Sequence, residues 1–252
     1  MSDVLKASIR EGLWHRMRQD LARFTPDILD DELLMCCACG RLLPQDSFDL
    51  EHLIPQQVVK QDPAVVKLNP LTPVNTRSGN LLLCKKPLRI KERVIYQNGC
   101  NSWKGRVFDH ALNDLVAGNG LKAQRCTQVH IIAALSLAYL AMVAEFGFIV
   151  TLMPSGRLMR EQFFMPQKFH PALPVKCQMM LGGRMPIELP SARLWSNPFS
   201  FGFERHGFCY VGIRNVAVLL PVTRDPRVPF SQHLRIVPSR YKLRPDFTTV
   251  FR

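Results

Sequence analysis

Acidic residues are scarce in this chain: 20 Asp and Glu stand against 33 Lys and Arg, a formal net charge of +13 over 252 residues. That imbalance suits a polyanionic partner, nucleic acid first among them. Internal repeats are missing, as are a glycine-rich phosphate-cradling loop and a Ser-His-Asp arrangement, so nothing points to a solenoid, a P-loop enzyme or a serine hydrolase. The opening stretch Met1–Phe24 is charged throughout and has no apolar core followed by a small-residue cleavage site. With 8 cysteines and no such leader, the expectation is a cytoplasmic, reduced protein without structural disulfides. Its 47% hydrophobic content is that of a globular chain rather than a basic disordered tail.

What is present concentrates between Met35 and Leu112. Cys36 and Cys39 form a Cys-x-x-Cys turn able to offer two sulfurs to one tetrahedral Zn²⁺, and Cys84 and Cys100 are the later cysteines that can complete the set. Leu81–Leu83 is an apolar run that places Cys84 at the end of a strand. Cys37 is left out, because one intervening residue before Cys39 makes joint chelation harder, and Cys126, Cys177 and Cys209 look unpaired. The competing reading is that these are ordinary buried thiols. Zinc is favoured by the company the cysteines keep, the His52 segment between the pairs and Asn101 directly after the last one; a structural ion can contribute about 10–16 kcal/mol to folding, which a segment with few long apolar stretches would need.

Between the cysteine pairs lies Glu51-His52. Phosphodiester hydrolysis needs a base that works near neutral pH and a cation at the leaving oxygen. His52 has the pKa for the first task, and Glu51 is a hard oxygen ligand for Mg²⁺ or Mn²⁺. On a regular strand the two side chains would point to opposite faces, so an irregular backbone is expected here. A surface histidine beside an acid is the plainer alternative.

Cys-x-x-Cys, Glu-His-x-Ile-Pro, Asn-Leu and Cys-Asn-x-x-Lys-Gly, in this order, resemble the HNH endonucleases with their ββα-metal fold. The resemblance implies that His52 is the general base, that Glu51 and Asn101 ligate a catalytic Mg²⁺ or Mn²⁺, and that Asn80 braces the loop between two strands. It implies a structural zinc on Cys36, Cys39, Cys84 and Cys100, and duplex DNA as substrate. The chain departs from the pattern where Lys85–Gly99 separates Cys84 from Cys100, since family members have a tight second Cys-x-x-Cys there. A surface insertion of this size costs little in loop closure. It carries Lys85, Lys86, Arg89, Lys91 and Arg93, which with Lys104 and Arg106 are candidates for phosphate contact, a solvated face being the alternative. Asp109 is a candidate for orienting a ligand.

The rest of the expected α+β architecture surrounds that core. An N-terminal helical segment (1–30) carries Leu5, Ile9, Leu13, Met17 and Leu21 every fourth residue, so it should pack on the nuclease region (31–115, with the basic insertion 85–99). The remainder (116–252) opens with the apolar Val129–Val150, long enough to cross a bilayer but interrupted by His130, Ser136 and Glu145 and rich in alanine. A buried central helix is expected, and no membrane association. Beyond Met153, short runs separated by Pro and Gly read as a small β-rich domain with a hairpin about Glu204–Gly207, suited to recognising substrate or a protein partner. Phe199, Phe201 and Phe203 alternate there as a core face or a base-stacking platform, and Arg235, Arg240, Lys242, Arg244 and Arg252 end the chain with positive charge. The overall expectation is a metal-dependent DNA endonuclease, the alternative being a non-catalytic zinc module that binds nucleic acid or protein.

Overall fold

The computed structural model describes residues 3–60, 80–90, 93–116, 125–172, 179–181, 198–204, 208–213 and 216–221. It is an α+β fold. Helix α1 (Asp3–Ala22) buries Leu13, Met17 and Leu21 of the expected stripe together with Trp14, with Ile9 half-buried and the Leu5 side chain outside the described ones. Two of its three arginines reach into the fold, while Arg16 is exposed. Arg18 is buried and donates to the carbonyls of Ile28 and Leu29, and Arg10 donates to the Gln45 carbonyl, so both tie the helix to the following segment.

Strands β1 (Leu33–Met35) and β2 (Leu42–Pro44) form a short antiparallel pair around Cys36–Gly40. Next come β3 (Phe48–His52), the one-turn helix α2 (Gln56–Lys60) and β4 (Asn80–Cys84), which is antiparallel to β3 with His52 opposite Asn80 and Phe48 opposite Cys84. The expected irregularity at Glu51-His52 is absent. The register runs unbroken through both residues, so Glu51 is buried on one face while His52 lies half-buried on the other. Trp14 of α1 stacks against Phe48, 5.7 Å between ring centroids, on the His52 face of the strand.

The insertion is a hairpin, β5 (Leu88–Ile90) with β6 (Arg93–Tyr96), and it delivers the chain to α3 (Gly99–Val116). Gly99 makes that return possible. Its φ is +74°, and a β-carbon there would lie 2.5 Å from the Cys84 carbonyl oxygen and 2.6 Å from the Lys85 Cα. Only glycine lets the two backbones approach so closely, and the approach is what sets Cys100 beside Cys84.

Helix α4 (Gln128–Phe146) is apolar and long enough to cross a membrane by composition, yet it lies mostly buried, packed against α3 and against the later helices and strands. His130 sits in its first turn, where its ring accepts from the Thr127 backbone N–H in a capping box, and Glu145 is exposed near its end. Helices α5 (Phe148–Leu152) and α6 (Pro154–Phe163) follow, so the β-rich texture expected directly after Met153 starts later than the sequence suggested. The reason is local: Leu158, Met159, Gln162 and Phe163 are buried along one side of α6, a helical stripe hidden among polar residues.

Four strands, β7 (Met179–Leu181), β8 (Phe199–Glu204), β9 (Phe208–Ile213) and β10 (Val216–Pro221), form an antiparallel sheet in the order β7-β10-β9-β8. The β8–β9 hairpin brackets the expected turn. Phe201 and Phe203 lie edge-on to Phe146 of α4 at 5.1 and 5.5 Å, but the stripe is only partly a core face, since Phe199 and Phe201 are half-buried and Phe203 is exposed. One hydrophobic cluster runs through α1, the β3–β4 pair, α3, α4 and this sheet, across the boundaries expected from sequence. The terminal arginines and lysine from Arg235 to Arg252, Cys177 and Lys91 lie outside the described residues.

Candidate metal centre and hydrolytic site

The thiol cluster is assembled by three separate stretches of chain. The β1–β2 connection supplies Cys36 and Cys39, β4 ends in Cys84, and the first turn of α3 supplies Cys100; all four are buried. The sulfurs of Cys36, Cys39 and Cys100 lie within 4.8 Å of one another. Cys84 falls outside that mutual group, although its backbone N–H donates to the Cys36 sulfur at 3.4 Å. A tetrahedral Zn²⁺ at about 2.3 Å from each sulfur needs them roughly 3.8 Å apart. Cys36, Cys39 and Cys100 form a buried group that could hold a metal ion, and their thiol chemistry is compatible with zinc. Cys37 stays apart, with burial pushing its thiol up to about 12 and its carbonyl accepting from the Tyr139 hydroxyl at 2.8 Å.

Sequence reasoning missed Arg41. Its guanidinium donates to the sulfurs of Cys39 (3.4 Å) and Cys84 (3.0 Å) and to the carbonyls of Pro87 (2.9 Å) and Lys86 (3.1 Å). Burial opposes its charge, but the neighbouring cysteines raise its pKa above the ordinary arginine value. Cys39 is held well below the usual thiol range: burial works against ionisation, and hydrogen bonds from Cys100, Cys36 and Cys84 overcome it. A buried fixed cation beside a thiolate is what an anionic metal–thiolate centre requires of its surroundings. An arginine two residues after a Cys-x-x-Cys was the available signal.

Helix α3 is docked on the neighbouring strand by two side chains one turn apart. The Ser47 carbonyl accepts from the Lys85 N–H, which places alternate residues of β3 in the hydrogen-bonded pairs and turns the Leu50 and His52 carbonyls toward its open edge. Asn101 Nδ2 donates to the Leu50 carbonyl at 3.1 Å and Lys104 Nζ to the His52 carbonyl at 3.2 Å. Lys104 also meets Glu51 Oε1 at 2.7 Å and Asp109 Oδ1 at 2.9 Å, so its three donors each have an acceptor.

This corrects the expected role of Lys104. It is 2% exposed and neutralises carboxylates inside the protein, so it does not face a phosphate strand. Burial opposes the Lys104 charge, but Glu51 and Asp109 more than offset that and hold its pKa above the usual lysine range. Burial also raises the Glu51 pKa, against the pull of the ammonium. Glu51 thus already faces a cation, supplied by Lys104. Asn101 has committed its amide N–H to the strand and retains Oδ1.

His52 points away from this pair, with Nε2 3.3 Å from the Gln56 side-chain nitrogen. Its pKa is lowered, first by burial and then by the charges of Lys104 and Lys6, so the ring is neutral at neutral pH. Asn80 stands opposite His52 in the register. Lys85, Lys86 and Arg106 are exposed, and Lys86 lies 3.5 Å from Asp46. Arg89 and Arg93 belong to the hairpin strands, and their side chains lie outside the described residues. Among the sequence candidates, the structure therefore brings together Cys36, Cys39 and Cys100, with Cys84 next to them but outside the mutual group, and separately Glu51, Lys104 and Asp109, while His52 opens to the other face. Against protein-family models, curated proteins and solved structures, the chain has no match.

Proposed function

We propose that this protein is a zinc-braced, HNH-type endonuclease that hydrolyses phosphodiester bonds in DNA. The reading is supported above all by the order and contact of three elements: β3 ending in Glu51-His52, β4 beginning at Asn80, and α3, whose Asn101 is bonded back to β3 beside the cysteine cluster. In this reading neutral His52 takes a proton from the attacking water. Lys85, Lys86 and Arg106 provide exposed cations for the phosphate backbone. Lys104 fixes the strand end through the His52 carbonyl. A bound Mg²⁺ or Mn²⁺ would supply electrostatic stabilisation of the leaving oxygen, with the Glu51 carboxylate and Asn101 Oδ1 as its protein ligands. The zinc would be held by Cys36, Cys39, Cys84 and Cys100 and would be structural.

A second reading is favoured by one observation. Glu51 is buried against Lys104 and lies on the strand face opposite His52, as in a zinc module that binds nucleic acid or protein without cutting it. Plasmid cleavage separates the two. Purified protein with Mg²⁺ or Mn²⁺ should nick plasmid DNA, EDTA should stop it, and His52→Ala should lower the rate by about 10²–10⁴-fold, the usual worth of a general base. His52 is half-exposed, so the variant should keep its zinc and thermal midpoint. Salt-sensitive binding without cleavage, or cleavage unchanged in His52→Ala, would overturn the nuclease assignment.

A further inference from the structure

A cleft of about 430 Å³ opens beside α3, within the range of roughly 300–1,000 Å³ typical of small-ligand sites. Trp103 and Val107 of α3, Tyr96 at the end of β6, Val129 of α4 and Pro166 form its half-buried apolar walls. Arg106 and Gln167 are exposed at its rim.

The aromatic walls are fixed in place by their polar ends. Trp103 Nε1 donates to the Phe163 carbonyl at 3.0 Å, and the Tyr96 hydroxyl donates to the Ser102 carbonyl at 3.4 Å. The two rings meet edge to face at 5.4 Å, and Phe164 supports Trp103 from behind at 5.8 Å. The Trp103 N–H is committed and the Tyr96 hydroxyl proton is turned toward Ser102, so what the rings chiefly offer is π surface. The Arg106 guanidinium lies 5.9 Å from the Tyr96 ring centroid, and no carboxylate pairs with it among the described residues.

We propose that this cleft is a subsite for an unpaired nucleobase, with Tyr96 and Trp103 as the stacking walls, Arg106 on the adjoining phosphate and the Gln167 amide at the base edge. Aromatic walls with a cation at the rim match a nucleotide, which joins a flat π face to a negative charge. A base inside a duplex presents no face to a side chain, so the ligand is a single-stranded or extruded nucleotide. The cleft and Asn101 occupy different sides of one helix, whose full diameter is about 10–12 Å. The subsite therefore lies within a few nucleotides of the proposed scissile bond. The inference deepens the nuclease reading and rests on it for purpose, though its test reads binding and not cleavage.

The test uses the full zinc-loaded chain, a fluorescein-labelled single-stranded oligothymidylate and a duplex of equal length. Tyr96→Leu keeps the apolar bulk and removes the ring. It should weaken single-strand binding by about 5- to 150-fold, the range for one lost base stack, and leave duplex binding unchanged. Arg106→Ala should weaken both and lower the salt slope by about one. Equal single-strand affinity in Tyr96→Leu and wild type would overturn the subsite, as would equal losses on both substrates or no binding to either. A protein that never cuts plasmid but shows the Tyr96→Leu difference would refute the nuclease reading and leave the subsite standing.

Discussion

Lys104→Met is the most exacting perturbation of the site. It removes an ammonium that is 2% exposed and leaves the Glu51 carboxylate, itself 5% exposed, without the partner now 2.7 Å away. Methionine has nearly the same length, so little packing is lost and the electrostatic consequence dominates. Removing one member of a buried pair typically costs about 3–5 kcal/mol, because the remaining charge stays desolvated. Against a total stability of about 5–15 kcal/mol that is a large fraction. The His52 carbonyl loses its donor as well, adding about 0.5–1.5 kcal/mol. Asp109 is 34% exposed and can turn to water, so Asp109→Asn should cost no more than about 1 kcal/mol. The assay is urea unfolding of the purified protein, with free energies extrapolated to water. Adding Glu51→Gln to Lys104→Met should recover most of the loss, since the double variant buries no charge, and the cycle isolates the coupling. A loss below about 1 kcal/mol for Lys104→Met would show that Glu51 is not held as a buried ion pair and would refute this account of the site.

Chelation and glycine substitution test the other supports. A structural zinc contributing about 10–16 kcal/mol exceeds the stability of an ordinary domain, so a strong chelator, or acid that protonates the thiolates, should unfold the protein and release the metal, as seen by circular dichroism and metal analysis. Cys100→Ser should lose the ion, and a protein purified without metal that stays folded would contradict the zinc assignment. Gly99→Ala forces a β-carbon into the Cys84–Lys85 backbone at a positive φ; it should cost at least about 1–3 kcal/mol and lower metal retention together with stability, whereas retained metal with an unchanged unfolding midpoint would mean the return to Cys100 does not depend on this glycine.

Much of the local structure was legible because it is set by short-range rules. The fourfold apolar spacing of α1, the alanine-rich apolar run that became α4, the Phe alternation of β8 and the strand ending at Cys84 are each dictated by residues close in sequence. The grouping of Cys36, Cys39 and Cys100 was readable from spacing and chemistry, although an insertion precedes Cys100, whereas Cys84 falls outside the mutual group. Helix α6 was missed because its short buried stripe lies among arginines, a proline and a glycine, where local propensity gives a weak signal. The regular strand through Glu51-His52 was also missed, since the pull toward irregularity came from an expected role and not from the residues.

The amino-acid sequence alone determined which groups could take part: thiols in a chelating pattern, a histidine beside an acid, and an excess of positive charge. Which groups meet was decided only by the tertiary structure, because burial and partner choice depend on chain segments far apart in sequence. Lys104 read as a phosphate-contacting cation and Arg41 was given no role, yet one is paired 53 residues away with Glu51, and the other holds Cys84 across 43 residues of chain. Desolvation makes that distinction physical. A cation in water is nearly indifferent to its neighbours, whereas one buried among carboxylates or thiolates is bound to them, and folding alone determines which condition applies.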